Sequence, residues 1–234
     1  MINLVDFSLN KLKLFMIRNL SIFSFLIFIC SFISAQYSPQ IALTFDDGPR
    51  PASTYRLRKV LNRYSIPGTF FIVGRVADLN PQEIMNLHNE GHEVANHSWN
   101  HSDFKILRMN SILWELNNTR TLIHRLTGEK TPYFRPPGLS EKYLKKKFIV
   151  PHGYKIVLWD LHSLDQEGHS SEEIAERILS QVKDGDVILM HNGIIPTVEA
   201  LDCIIPELKS RGFEFVTISK LLESKNRRWF MVER

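Results

Sequence analysis

Cysteine is nearly absent from this chain: its 234 residues include two, Cys30 and Cys203. Only Cys203 would survive loss of an N-terminal leader, so no disulfide within the chain would brace the remainder, and its stability must come from an apolar core. An excess of charge of one sign is lacking too. Against 29 Lys and Arg stand 25 Asp and Glu, a formal net charge of +4. Without residues 1 to 35 the balance is 26 basic to 24 acidic. No Lys/Arg cluster interleaved with aromatics remains, which argues against nucleic acid as a partner. No apolar run reaches the roughly 20 residues of a membrane-spanning helix. Internal repeats and low-complexity tracts are missing, and a 44% hydrophobic content is enough to bury a sizeable single core.

The first 35 residues have the layout of an export signal. Lys11, Lys13 and Arg18 form a positive region, Leu20 to Ile33 is rich in Leu, Ile and Phe, and Ser34-Ala35-Gln36 offers cleavage after Ala35. The expectation is an exported protein, periplasmic, secreted or attached to the cell envelope. Residues 1–35 are then a signal peptide or, if uncleaved, an N-terminal anchor, the only route to a membrane. Residues 36–234 are expected to form one folded domain.

From Ile41 onward, short apolar strands alternate with amphipathic helices. Strands are expected at Ile41–Phe45, Thr69–Val73, Lys155–Trp159, Val187–Met190 and Phe213–Ile218. Helices are expected at Thr54–Tyr64, Pro81–Glu90, Ile112–Thr127, Glu172–Val182 and Thr197–Arg211. Such alternation predicts an α/β fold with a parallel sheet, closed or nearly closed into a (β/α) barrel. Ligands in such folds gather where the strands end.

Two carboxylates stand at one such end, in Thr44-Phe45-Asp46-Asp47-Gly48-Pro49. About fifty residues later comes His97-Ser98-Trp99-Asn100-His101, whose i,i+4 histidines would share one face of a helical turn. With Asp47 they make a two-His, one-carboxylate set that suits zinc or another divalent transition metal and leaves positions open for water and substrate.

These two segments resemble the first two motifs of the polysaccharide deacetylase family, the carbohydrate esterases built on the NodB homology domain. Phe134-Arg135-Pro136-Pro137-Gly138 resembles the third, Trp159 to Asp165 the fourth, and Leu189-Met190-His191 the fifth. The resemblance implies a distorted (β/α) barrel of the NodB type. It implies further that Asp47, His97 and His101 bind a divalent metal, most readily Zn2+, with Co2+, Mn2+ or Ni2+ as substitutes. Asp46 would be the base that deprotonates a metal-bound water, Arg135 would hold Asp46 through its two-pronged guanidinium, and His191 would protonate the leaving amine. Leu189 would line the pocket for the acetyl methyl, with Trp159 beside the substrate.

Two motifs depart from the family pattern. Gly138 stands where an aromatic residue usually follows the two prolines; since neither proline carries an N–H, Gly138 is the first possible backbone donor to an oxyanion. In the fourth motif, His162 falls at the position of the acid that supports the catalytic histidine, and Gln166 replaces a tryptophan. Asp165 is then the first candidate to support His191, and Asp160 the second.

The expected function is hydrolysis of N-acetyl groups on an N-acetylglucosamine polymer, peptidoglycan ahead of chitin. An O-acetyl esterase of the acetyl-xylan type, another amide hydrolase, and an inactive carbohydrate-binding module are the alternatives.

Overall fold

The computed structural model describes residues 38–138 and 149–224. The expected export segment lies outside them. At the centre is β1, Gln40–Gly48, a nine-residue strand. Around it run β2 (Thr69–Ile72), β3 (Glu93–Asn96), β4 (Tyr133–Phe134), β5 (Lys155–Ile156), β6 (Leu161–His162), β7 (Val187–His191) and β8 (Glu214–Phe215). All pairings are parallel. The order is β5-β4-β3-β2-β1-β7-β6, with β8 on β1. Among the described residues no pairing joins β5 to β6, so the curled sheet is an open half-barrel, the distorted form of the (β/α) barrel expected from the alternation.

The helices are α1 (Pro51–Arg63), α2 (Gly74–Leu79), α3 (Pro81–Asn89), α4 (Met109–Thr127), α5 (Ser171–Gln181), α6 (Ile195–Ser210) and α7 (Ile218–Ser224). Their starts follow from local chemistry. Proline opens α1, α3 and α6 within their first two positions, where its missing N–H is no loss. In α5 the Ser170 side chain accepts from Glu173 N–H while Glu173 reaches back to Ser170 N–H, a reciprocal cap. Gly128, at φ 79°, ends α4 in the left-handed region that an L side chain resists.

The period-two pattern of the strands sorts side chains between two layers. Ile41, Leu43 and Phe45 of β1, with Phe70 and Ile72 of β2, pack outward against Leu57 and Leu61 of α1, Ile84 of α3, and Leu201 and Ile204 of α6. Ala42, Phe71, Ala95, Tyr133, Val157 and Val187 fill the concave side. Each large aliphatic side chain buried this way contributes about 1.5–3 kcal/mol. Thr44 and Asp46, being even-numbered on β1, share the concave face with Ala42. Polar residues at the strand ends are thereby directed into one basin.

Several element boundaries differ from the sequence expectation. The Lys155–Trp159 run is a strand only to Ile156, because the carbonyls of Val157 and Leu158 bond the Arg135 side chain instead of a neighbouring strand. Phe213–Ile218 also divides. Thr217 starts a turn whose carbonyl accepts from Leu221 N–H, so Ile218 begins α7. The short helix α2 had no signal in the apolar periodicity.

Gly74 shows how tightly the outer layer is closed. A Cβ there would lie 2.4 Å from Thr119 Oγ1 and 2.6 Å from Trp99 Cε3. Gly74→Ala should therefore cost about 1–3 kcal/mol, seen as a lower urea midpoint. An unchanged midpoint would mean that Thr119 and Trp99 yield without strain.

Candidate active site

Adjacent residues on a regular strand point to opposite faces, so Asp46 and Asp47 should not meet. The β1–β2 register shifts between Phe45 and Gly48, and Asp47 takes φ 69° there. This bulge within β1 turns the second carboxylate toward the first. The strand therefore runs through both acids, where the sequence pattern had suggested that they end it. Gly48 permits the bend, because a Cβ would lie 2.4 Å from Asn192 Nδ2. Asn192 in turn binds the base of β1, its N–H donating to the Asp46 carbonyl at 2.8 Å.

The histidine pair also departs from expectation. His97–His101 is not a helical turn. Ser98 and His101 adopt φ 69° and 59°. Ser98 N–H donates to Asn96 Oδ1 at 2.8 Å, and His101 N–H to Ser98 Oγ at 3.0 Å. Glu115 of α4 braces this loop from behind, accepting from Asn100 N–H at 2.6 Å, Asn100 Nδ2 at 2.9 Å and Ser102 Oγ at 2.9 Å. Local hydrogen bonds thus replace helical geometry and still bring the two imidazoles together, their centroids 5.0 Å apart.

Asp47 Oδ1 lies 3.3 Å from His97 Nε2 and 3.1 Å from His101 Nε2. It is buried and accepts no hydrogen bond. The three ligand atoms lie within 4.8 Å of one another. His97 Nδ1–H donates to the Arg135 carbonyl at 2.8 Å, which leaves Nε2 with its lone pair facing Asp47. Burial raises the Asp47 pKa, but the neighbouring imidazoles, when protonated, more than offset this and hold it well below the usual carboxylate range. Metal bonds of about 2.1 Å set neighbouring ligands roughly 3 Å apart. The donor set fits a divalent transition metal: a cation would satisfy an orphaned carboxylate oxygen and the imidazole lone pair converging on it.

Asp46 is held separately. Arg135, fully buried, donates from Nη1 to Asp46 Oδ1 at 2.7 Å and to Thr44 Oγ1 at 2.8 Å. Its Nε and Nη2 go to the Val157 and Leu158 carbonyls, so the guanidinium grips Asp46 with one prong, where the sequence had suggested two. The other oxygen, Oδ2, stands 3.8 Å from His97 Nε2, at the edge of the Asp47–His97–His101 cluster.

On the opposite side, His191 pairs in register with Asp46 across β1 and β7. Asp165 Oδ1 accepts from His191 Nδ1–H at 2.7 Å, while Oδ2 accepts from His191 N–H at 2.7 Å and Thr197 Oγ1 at 2.6 Å. Asp160 does not reach this histidine; it accepts from Val187 N–H at 3.0 Å. Nor does His162 support it. Its Nδ1 accepts from Leu164 N–H at 2.8 Å, and its ring lies 5.9 Å from that of His191.

Leu189 is buried on β7 two residues before His191, on the same face. Trp159 is half-buried, with Arg135 Cζ 5.7 Å from its ring. Gly138 is exposed at φ 64°, with open space where a Cβ would stand.

A polysaccharide deacetylase family model matches residues 35–157. The chain belongs to the polysaccharide deacetylase family. It is 34% identical over 190 residues to the peptidoglycan-N-acetylmuramic acid deacetylase PdaC of Bacillus subtilis, covering 80% of this chain but 40% of that protein. A peptidoglycan-N-acetylglucosamine deacetylase of Bacillus cereus is 35% identical, with 80% of this chain and 89% of that one covered. The solved PdaC structure superposes with TM-score 0.75 at 32% identity, covering 81% of this chain and 93% of that one. An acetyl xylan esterase from Clostridium thermocellum, solved with a cobalt ion, gives TM-score 0.72 at 34% identity over 81% and 93% of the two chains. This chain thus spans about 40% of the full length of PdaC.

Within the deacetylase fold, the residues that sequence reasoning missed are the ones that hold others. Thr44 shares Arg135 with Asp46, Thr197 shares Asp165 with His191, and Glu115 backs the histidine loop. Only Glu115 left a trace, as an acid among the apolar positions Ile112, Leu116, Leu122 and Ile123 of α4.

The Asp165–His191 pair has a definite electrostatic sign. Burial opposes ionisation of both groups, yet each is favoured by its partner, so His191 is raised above its ordinary value and Asp165 lowered. The pair stabilises the fold between these limits. Its contribution is lost as pH falls through the lowered Asp165 value or rises through the raised His191 value. In Asp165→Asn the His191 titration midpoint, followed by NMR, should fall by about one unit or more. An unchanged midpoint would show that Asp165 does not set the charge of His191.

Proposed function

We propose that this chain is an exported, metal-dependent hydrolase that removes N-acetyl groups from N-acetylglucosamine residues of peptidoglycan. One observation carries the reading: a carboxylate fixed by a buried arginine stands between a three-ligand cluster and a histidine held by its own aspartate. The names of the relatives favour peptidoglycan over chitin. The export signal read in the sequence would bring the protein to the wall where that polymer lies.

Asp47, His97 and His101 would hold the ion, zinc first, with cobalt, manganese or nickel as replacements. Such an ion, when bound, supplies Lewis acidity, acidifying water and polarising a carbonyl. Arg135 occupies Asp46 Oδ1 and leaves Oδ2 to take a proton from the attacking water. The water oxygen bonds to the acetamide carbon. Negative charge then gathers on the former carbonyl oxygen, where the Gly138 N–H is the candidate backbone donor. His191, with Nδ1 committed to Asp165, presents Nε2–H to the departing nitrogen. The C–N bond breaks as that proton moves, giving acetate and a free amine. Leu189 lies on the face that would receive the acetyl methyl, and Trp159 would flank the sugar. The raised His191 pKa keeps this acid protonated further into the neutral range.

The test is acetate release by metal-reconstituted protein from peptidoglycan, chitin oligomers and acetyl-xylan. Peptidoglycan should give the highest rate, chelation should abolish it, and Asp46→Asn should lower kcat by about 10²–10⁴-fold. A preference for acetyl-xylan would favour an O-acetyl esterase. Polymer binding without acetate release from any substrate would make the protein a carbohydrate-binding module.

A further inference from the structure

Asp47 occupies an exacting position with little to hold its side chain. Its backbone lies in the left-handed region inside a bulge, and its Oδ1 accepts no hydrogen bond. Among the described residues, one hydrogen bond reaches this carboxylate: Gln166 Nε2 donates to Oδ2 at 3.2 Å. Gln166 comes from the far side of the cleft, 119 residues away in sequence.

The segment that carries Gln166 is itself anchored. Leu164 takes φ 60°, its N–H donating to His162 Nδ1 at 2.8 Å. The His162 carbonyl accepts from Arg177 Nε of α5 at 2.8 Å. Asp165 is fixed by His191 and Thr197. The next residue, Gln166, therefore starts from a fixed point, and its amide reaches the carboxylate without a long entropic search. Two consecutive side chains in one turn thus face two halves of the site, Asp165 toward β7 and Gln166 toward β1.

We infer that Gln166 is a positioning residue for Asp47, holding Oδ2 so that Oδ1 stays directed at His97 and His101. The inference rests on the metal-dependent reading of the site. A carboxylate ligand rotates about its Cβ–Cγ bond unless its second oxygen is held, and such outer contacts set about 10–100-fold in metal affinity. Gln166 is solvent-exposed, which puts the expected effect near the lower end of that range. His162, which falls at the family position of the supporting acid, acts one step earlier by shaping the turn that presents Gln166.

The experiment measures zinc and cobalt affinity of the full chain by competition with a chromophoric chelator. Gln166→Met keeps the side-chain length and removes the donor, and Gln166→Glu keeps the shape but replaces the donor with an ionised oxygen. Affinity should fall about tenfold in Gln166→Met. The urea midpoint of the metal-free protein and the His191 titration should not change, and kcat should recover at saturating metal. Gln166→Glu should fail to retain wild-type affinity for cobalt. Wild-type affinity in Gln166→Met would overturn the inference alone. An equal shift in the His191 titration would also overturn it, since the substitution would then be disturbing the whole turn. A wild-type protein that binds neither ion would overturn the metal-dependent reading and this inference with it.

Discussion

Two neighbouring residues of a β-strand cannot ordinarily serve one site, because the pleat sends their side chains to opposite faces. The bulge at Asp46–Gly48 removes that restriction, and the rest of the basin is arranged around its result. Asp46 keeps the concave orientation that β1 dictates. Asp47, turned by its positive φ, swings to the same side and meets His97 and His101. Gly48 supplies room for the turn beside Asn192. The adjacent acids acquire different surroundings and hence different chemistry: one faces a guanidinium, the other two imidazoles.

The Arg135–Asp46 pair is the second constraint. A guanidinium in the middle of the barrel is costly to desolvate, and removing either partner would strand an uncompensated buried charge, typically worth about 3–5 kcal/mol. Arg135 offsets that cost by spending its donors on Thr44, Val157 and Leu158 as well as Asp46, and by resting over the Phe71 ring at 4.1 Å. The same bonds end β5 early. Local irregularity of the sheet and the fixing of Asp46 are thus one arrangement.

Much of this was legible in the residue order. Strand-helix alternation depends on hydrophobic periodicity, which is local, so α1, α3, α4, α5 and α6 fall close to where the pattern put them. Contacts across the chain are not encoded in any local period. Helix α2, the early end of β5 and the division at Ile218 depend on such contacts. The i,i+4 histidines pointed to a shared ligand site by an argument about helices, yet the loop meets the same end through Ser98, Asn96 and Glu115. Asp165 was readable as the partner of His191, whereas Gln166 registered only as a departure from a family motif. Its amide reaches Asp47 across the cleft, and nothing in the local sequence announces that.

The central claim is that Asp46 and Asp47 divide the work, one holding a proton and the other an ion. The most direct measurement is the metal content of the purified variants Asp47→Ala and Asp46→Asn, each loaded with zinc and dialysed, alongside their acetate release. The account predicts that Asp47→Ala loses its metal, whereas Asp46→Asn retains close to one ion per chain and has lost turnover. Equal metal content in both variants together with full activity would contradict it.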